Sequence, residues 1–150
     1  MIVYRITLVK FAGELVASGN AARWNSKDIK AIYTAGSRSL ACLENVVHRG
    51  ALGLRENFRT ILVEIPDGLR QEEVKLSDLD LKWRHYSQYP YTQRIGDEWI
   101  KRSSTAILKV PSAVVPEEHH YILNPAHVDF ASIKCSGNEP FDFDERIKMS

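Results

Sequence analysis

Cysteine is scarce in this sequence, and so are long apolar runs. With only Cys42 and Cys135, the chain has neither a disulfide framework nor the paired cysteines of a structural zinc site. Arg5, Lys10 and Glu14 interrupt the first apolar residues, which therefore lack the continuous core of a signal peptide, and no other stretch is long enough to span a bilayer. These absences predict a cytoplasmic protein with no membrane association.

The chain also lacks a strong charge of either sign. Its 20 Lys and Arg residues and 19 Asp and Glu residues give a formal net charge of +1. Binding to a nucleic-acid backbone requires many clustered cations, so we expect no direct nucleic-acid binding. A Gly-rich phosphate loop of the dinucleotide or triphosphate kind is absent as well.

What is present is typical of one folded domain. The chain has 150 residues, of which 44% are hydrophobic and 26% charged. A chain of this length buries roughly two-thirds of its unfolded surface, which is enough for a real core. No repeat or linker divides it, and we predict a single compact domain over residues 1–150.

Local patterns predict a small α+β domain with more strand than helix. Two prolines interrupt one predicted strand, at 105–116, and this favours an edge or bulged position. The most secure helix begins near Ser39, after serines suited to capping, and ends near Gly50. The predicted strands cover 1–9, 29–35, 57–66, 105–116, 119–124 and 141–147, and the predicted helices cover 37–52 and 92–102.

Glu44 is a candidate functional residue of that first helix. Leu40, Leu43 and Val47 follow the spacing of a buried stripe, and Glu44 lies at the edge of this stripe. A carboxylate there is partly desolvated unless it meets a cation, a donor or a ligand. The alternative is that the Glu44 side chain only pairs with His48 on the same helix or reaches solvent.

Arg23 and Tyr33 are weaker candidates when each is taken singly. Arg23 lies in a loop between two strands, where its planar guanidinium suits phosphate or carboxylate oxygens. The alternative is a surface arginine whose stem packs over Trp24. Tyr33 lies near the end of the second strand, with a ring suited to the core and a hydroxyl suited to water.

A cluster of histidines late in the chain raises the question of a metal site. His119, His120 and His127 lie in a short span, but adjacent histidines on a strand point to opposite faces. No cysteine or glutamate completes a known ligand spacing. We therefore expect no metal.

The ordered motifs of the chain resemble those of the RES family of bacterial toxins. They are "YRI" at 4–6, "ARWN" at 22–25, "IYTAGSRSLACLE" at 32–44 and "SSTAILKVPSAVVPEEHHYILNPAHVDF" at 103–130. The "PSAVVP" and "LNP" pieces are the most specific. One departure is the absence of the glycine that usually follows the family's Arg-x-Asn segment, since Asn25 leads into Ser26, Lys27 and Asp28.

The resemblance implies a fold similar to that of small ADP-ribosyltransferases. Such a fold has a split β-sheet core, flanked by a few helices, that binds nicotinamide adenine dinucleotide (NAD) as substrate in a cleft. The resemblance further implies that Arg23, Tyr33 and Glu44 line this cleft. Arg5 is a possible helper in binding. Ser112 is the best match for the family's serine, whose hydroxyl is expected to bond NAD, and Ser104 is the second choice.

The same resemblance implies a function. We expect a toxin that depletes cellular NAD as a glycohydrolase or phosphorylase, with water or phosphate as acceptor. A cognate antitoxin of the Xre helix-turn-helix type is the expected partner, and self-association is expected too. One alternative is an ADP-ribosyltransferase that modifies a protein. Another is an inert antitoxin-binding module, in which Arg23 and Glu44 form a structural ion pair.

Overall fold

The computed structural model describes residues 1–49 and 51–147. The predicted α+β class is confirmed, while the predicted helix end at Gly50 lies outside the described residues. No helix of the described part is both long and apolar enough to cross a membrane. In chain order the strands and helices are β1 Ile2–Leu8, β2 Ile32–Ala35, α1 Arg38–His48, β3 Phe58–Glu64, β4 Gln71–Glu73, α2 Tyr89–Arg102, β5 Ile107–Pro111, β6 His119–Leu123 and β7 Lys134–Phe141.

The strands form a sheet in the order β4-β5-β6-β2-β1-β3-β7, antiparallel except between β4 and β5. β1 pairs with β3 along its whole length, whereas it meets β2 at the single pair Tyr4 and Ala35. We call this narrow junction the seam. The sheet therefore consists of two well-paired halves joined at the seam, which is the split core that the resemblance implies.

Different helices cover the two halves of the sheet. α1 covers the half that contains β1 and β3, where Leu40 and Ala41 pack in a cluster with Ile6 of β1 and Phe58 of β3 that reaches Ala35 of β2. α2 lies over the half that contains β5 and β6, and it buries Trp99 in a cluster of apolar side chains. Because each half has its own apolar cover, the space between the two covers stays open above the seam.

The predicted apolar stripe of α1 is wrong in part. Ser37 caps the helix by accepting a hydrogen bond from the Leu40 amide at 3.0 Å, as a capping serine should. However, Leu43 is 36% exposed and Val47 57% exposed, and the buried pair is Leu40 with Ala41. The inward face is therefore rotated, and it brings Glu44 toward the sheet rather than to the edge of the apolar surface.

Two strand predictions also need correction. β5 is not an edge strand, because β4 and β6 flank it; Pro111 is tolerated since it is the last residue of β5, beyond the part that pairs with β4. The predicted strand at 141–147 is not formed: Phe141 is the last residue of β7, and Phe143 packs edge-on against Phe58. The actual last strand, β7, and the short β4 were both missed.

Candidate active site

A cleft of about 700 Å³ opens above the seam. This volume is in the range of pockets that enclose drug-sized ligands and cofactors. β1 and β2 line its floor, α1 lines one wall, and the loop before β2 with the start of α2 lines the other. Four of the predicted site residues line it together: Arg5, Arg23, Tyr33 and Glu44.

The Glu44 carboxylate is held by three polar side chains. Oε1 lies 2.8 Å from His120 Nε2 and 3.3 Å from Ser112 Oγ, and Oε2 lies 3.1 Å from His48 Nε2. The pairing with His48 is the local alternative anticipated from the sequence, and it coexists with the cleft position. Glu44 is thus a fixed group with its side chain 20% exposed.

The environment of Glu44 favours its ionised form. Burial by itself raises the pKa of Glu44, whereas the hydrogen bonds from His120 and His48 and the attraction to both rings lower it by more. The pKa of this carboxyl therefore lies well below the ordinary range of a glutamate. A permanent negative charge faces the cleft at any physiological pH.

Ser112 supports Glu44 and does not line the cleft. Its side chain is fully buried at the end of β5, where Oγ accepts hydrogen bonds from the amides of Val114 and Val115, each at 3.1 Å. The Ser112 hydroxyl in turn donates its hydrogen to Glu44 Oε1. Ser104, the second choice for the family serine, hydrogen-bonds to Glu72 of β4 instead and is absent from the cleft wall.

The loop that carries Arg23 rests on α2. The Thr92 hydroxyl donates to the Arg23 carbonyl at 2.6 Å, and Asp97 accepts from the Ser26 amide at 2.9 Å and hydroxyl at 2.6 Å. Gly96 allows the close approach, because a Cβ there would lie 1.7 Å from the Trp24 carbonyl oxygen. The backbone at Arg23 is consequently fixed by a helix residue that lies 69 positions later in the chain.

Asn25 organises the inside of that loop. Its side-chain amide donates to the carbonyls of Asn20 and Ile29, both at 2.9 Å. Asp28 of this loop adopts φ 69°, a left-handed conformation that favours glycine but that aspartate tolerates. The loop therefore closes here without a glycine at position 28.

The Arg23 guanidinium is held by aromatic rings. It lies 4.7 Å from the ring centroid of Tyr89 and 5.8 Å from that of Trp83, and Nη1 donates to the Trp83 carbonyl at 3.2 Å. Among the described residues, the rings that the guanidinium faces are therefore Tyr89 and Trp83 rather than the adjacent Trp24, which is buried. Stacking and one backbone contact orient the guanidinium and leave other N–H groups for a ligand.

Tyr33 presents its ring to the cleft, but its hydroxyl is already engaged. The hydroxyl donates to Asn25 Oδ1 at 2.5 Å and accepts from the Trp24 amide at 3.1 Å. Burial raises the pKa of this hydroxyl above its ordinary value. The Tyr33 hydroxyl, which was expected to contact water, therefore links β2 to the Arg23 loop by hydrogen bonds.

Arg5 lies at the seam itself. Its Nη1 donates to the Tyr33 carbonyl at 3.1 Å, so it bridges β1 and β2 beyond their single backbone pair. Burial lowers the pKa of Arg5, although a guanidinium stays charged. Across residues 1–49 and 51–147, no carboxylate forms an ion pair with Arg5 or Arg23, and the anticipated Arg23 and Glu44 pair is not among the salt bridges.

His120 and His48 are site residues that the sequence reasoning missed. His120 lies in the motif at 103–130 but is considered there only as a metal ligand, and His48 is considered only as a helix partner of Glu44. The described residues contain no group of three or more potential metal ligands. The predicted strand at 119–124 offered a signal for His120. Successive side chains of a strand point to opposite faces, so one of the two adjacent histidines must lie on the face of the sheet that carries the cleft.

Comparisons with known proteins agree with this fold and with the motifs. The RES domain family model matches residues 2–144. Since this is nearly the whole chain, the protein belongs to the RES domain family.

Similar proteins carry toxin names. The chain is 36% identical over 138 residues to a Prs ADP-ribosylating toxin of Sphingobium sp., covering 91% of this chain and 84% of that one. It is 35% identical to a Toxin Res of Yersinia enterocolitica, covering 99% and 100% respectively. Among solved structures, a chain of the M. tuberculosis MbcT-MbcA toxin-antitoxin complex matches with a TM-score of 0.78 at 16% identity, over 94% of this chain and 84% of that chain.

Proposed function

We propose that this protein is the toxin of a toxin-antitoxin pair and that it depletes NAD by cleaving the bond between nicotinamide and ribose, with water or phosphate as acceptor. The observation that carries the proposal is the ionised Glu44 carboxylate in a cleft that Arg5 and Arg23 also line, neither of which forms an ion pair with a described carboxylate. The family membership and the toxin names of relatives support it.

Glu44 suits the chemistry of the bond that breaks. Nicotinamide leaves as a neutral group, and the ribose becomes an oxocarbenium-like cation in the transition state. A carboxylate that is already ionised and fixed stabilises this developing charge without reorganisation. In this proposal Glu44 faces the reacting ribose and also accepts a hydrogen bond from a ribose hydroxyl.

Arg5 and Arg23 suit the diphosphate of NAD. Both guanidiniums line the cleft, and neither forms an ion pair with a described carboxylate. A partly desolvated cation gains most from an anion with which it forms charge-assisted hydrogen bonds. We assign Arg23 to the diphosphate or the adenine-side ribose and Arg5 to a supporting contact from the seam.

Tyr33 and Ser112 take more limited roles than the sequence alone allowed. Because the Tyr33 hydroxyl is engaged by Asn25 and Trp24, its proposed contribution is the ring, which stacks on the nicotinamide. Because Ser112 is buried behind Glu44, we propose that it acts by orienting the carboxylate rather than by direct contact with NAD.

The acceptor is the least constrained part of the proposal. Of the described residues lining the cleft, Glu44 is the one carboxylate, so a second acid that would activate a protein nucleophile is not provided there. This favours water or phosphate. ADP-ribosyl transfer to a protein is the second candidate, because one relative is named an ADP-ribosylating toxin.

A single assay distinguishes these acceptors. Purified protein, freed of any antitoxin, is incubated with NAD labelled in the adenine part, with and without phosphate, and with and without cell lysate. Nicotinamide release with free labelled ADP-ribose, or with its phosphorylated form, supports degradation, and label in a macromolecule supports transfer. Intact NAD under all conditions, in wild-type protein as in the Glu44→Gln control, would contradict both.

We further propose an Xre-type helix-turn-helix antitoxin as the partner, together with self-association of the toxin. The solved neighbour is a toxin-antitoxin complex, and exposed Val47 at the cleft wall gives this surface an apolar component. Co-expression with the neighbouring reading frame should protect cells and yield a stable complex. An inert binding module would instead show no toxicity alone and no change on Glu44→Gln. Light scattering that finds only monomer would exclude self-association.

A further inference from the structure

We propose that His120 is a positioning residue that fixes the Glu44 carboxylate through Oε1 and thereby leaves Oε2 as the oxygen that faces the substrate. The inference rests on the proposed cleavage of NAD. It assigns a role to a side chain that the sequence motifs did not single out.

His120 is anchored by the sheet, not by the helix that carries Glu44. It lies in β6 in register with Ala35 of β2, and its Nδ1 is 3.2 Å from the Thr34 carbonyl oxygen. Thr34 is itself fixed, because its hydroxyl donates to the Tyr121 carbonyl at 2.7 Å. The imidazole ring, with its side chain 12% exposed, thus extends from paired strands to α1.

Both ring nitrogens of His120 face acceptors. An ionised carboxylate can only accept, so Nε2 donates to it, and the charge of the acceptor makes this 2.8 Å bond a charge-assisted one. The direction of the Glu44 carboxylate is therefore set by a donor whose other ring nitrogen lies against the sheet, 3.2 Å from the Thr34 carbonyl oxygen.

His48 contacts Glu44 in a different way. It lies one turn along the same helix, with its side chain 64% exposed, and its bond to Oε2 is 3.1 Å long. A ribose hydroxyl entering the cleft can replace this exposed donor without breaking the buried contacts. Oε1 keeps His120 and Ser112, so the substrate meets Oε2.

The consequence is a loss in turnover rather than in binding when His120 is removed. The main action of Glu44 is on charge that develops in the transition state, and its ribose contact is one hydrogen bond, so its misorientation lowers kcat much more than it raises KM. Misplacement of a catalytic group by about 1 Å costs on the order of 100-fold in rate, which is the size of loss we expect for His120→Ala.

The test compares the two adjacent histidines of β6. His119→Ala is the matched control, because His119 faces the other side of the strand, near Lys109 and Glu73. We expect nicotinamide release by His119→Ala at the wild-type rate and by His120→Ala at a kcat about 100-fold lower. His120→Gln should recover part of the loss, because its amide donates near the position of Nε2. A kcat for His120→Ala equal to that of the control, a change confined to KM, or no recovery in His120→Gln would overturn the inference.

A second measurement separates this inference from the proposed function. In a double-mutant cycle of thermal unfolding with His120→Ala and Glu44→Gln, the shifts in Tm should be non-additive, because His120→Ala removes the contact between the two side chains. Additive shifts would overturn the claim that His120 holds Glu44, even in an active enzyme. If wild-type protein releases no nicotinamide, the proposed function fails and the catalytic role of His120 with it, while non-additive shifts would still establish the contact.

Discussion

Two glutamates of this protein have similar partners but very different positions. Glu44 of α1 accepts hydrogen bonds from Ser112 and two histidines, and Glu72 of β4 accepts them from Ser104 and Arg102. In both, burial raises the carboxyl pKa and the hydrogen bonds lower it by more, so both pKa values are lowered.

The difference between them lies in the surroundings. Glu72 lies on an edge strand of the sheet, and its Oε2 is neutralised by a guanidinium at 2.7 Å. Glu44 lies in the cleft above the seam, among arginines that are paired with no described carboxylate. We propose Glu44 and not Glu72 as the catalytic carboxylate because Glu44 lies in a cleft with guanidiniums that form no ion pair with a described carboxylate.

The largest contrast is expected between Glu44→Gln and Glu72→Gln. Removing a preorganised charge that stabilises the transition state costs about 100-fold to 1000-fold in kcat, and we expect this loss for Glu44→Gln. Glu72→Gln should leave nicotinamide release unchanged. Equal activity of the two variants, measured at saturating NAD with circular dichroism confirming the fold, would remove Glu44 from the mechanism.

The arginines give the next contrast. Arg23→Ala should raise KM for NAD by about tenfold to 100-fold, because a hydrogen bond to a charged group contributes about 1.5–3 kcal/mol. Arg102→Ala removes only the ion pair with Glu72, outside the cleft, and should leave KM unaltered. The measurement is steady-state NAD consumption over a range of concentrations. An unchanged KM in Arg23→Ala would contradict its role in binding.

Substitution of the two serines should change the stability of the protein by different amounts. Ser112→Ala leaves the amides of Val114 and Val115 without their buried acceptor, so we expect about 1–3 kcal/mol less free energy of unfolding. Ser104 is exposed, and Ser104→Ala should change this free energy by less than about 0.5 kcal/mol. Urea denaturation of both variants measures the difference. A larger loss in Ser104→Ala would reverse our assignment of the structural serine.

The smallest expected effect is in the acid dependence of stability. Because the pKa of Glu44 is lowered on folding, its ionised form stabilises the protein above its unfolded pKa of about 4.3, and this contribution is lost as pH falls through the lower folded value. The difference in unfolding free energy between wild type and Glu44→Gln should shrink from neutral pH to about pH 3. Glu72, whose side chain is 31% exposed against 20% for Glu44, should show a weaker trend. A difference that is constant with pH would show that Glu44 is not ionised preferentially in the fold.

Much of the secondary structure follows from local patterns, and the failures have a common cause. The strands β1, β2, β3, β5 and β6 and both helices were predicted near their observed positions. β7 was missed because Gly137, Asn138 and Pro140 are poor strand residues, and it forms because β3 offers a long partner. The buried face of α1 was predicted wrongly because a helix between the sheet and a cleft buries polar residues as well as apolar ones.

For the candidate site, the sequence by itself determined which residue types were available and, through the RES motifs, that Arg5, Arg23, Tyr33 and Glu44 belong together. The tertiary structure alone decided what each one contacts. His120 reaches Glu44 across 76 residues of chain, and Arg23 is fixed by α2, because strand pairing and helix packing are long-range events that local patterns do not encode. The same long-range packing occupies the Tyr33 hydroxyl and buries Ser112 behind the carboxylate it supports.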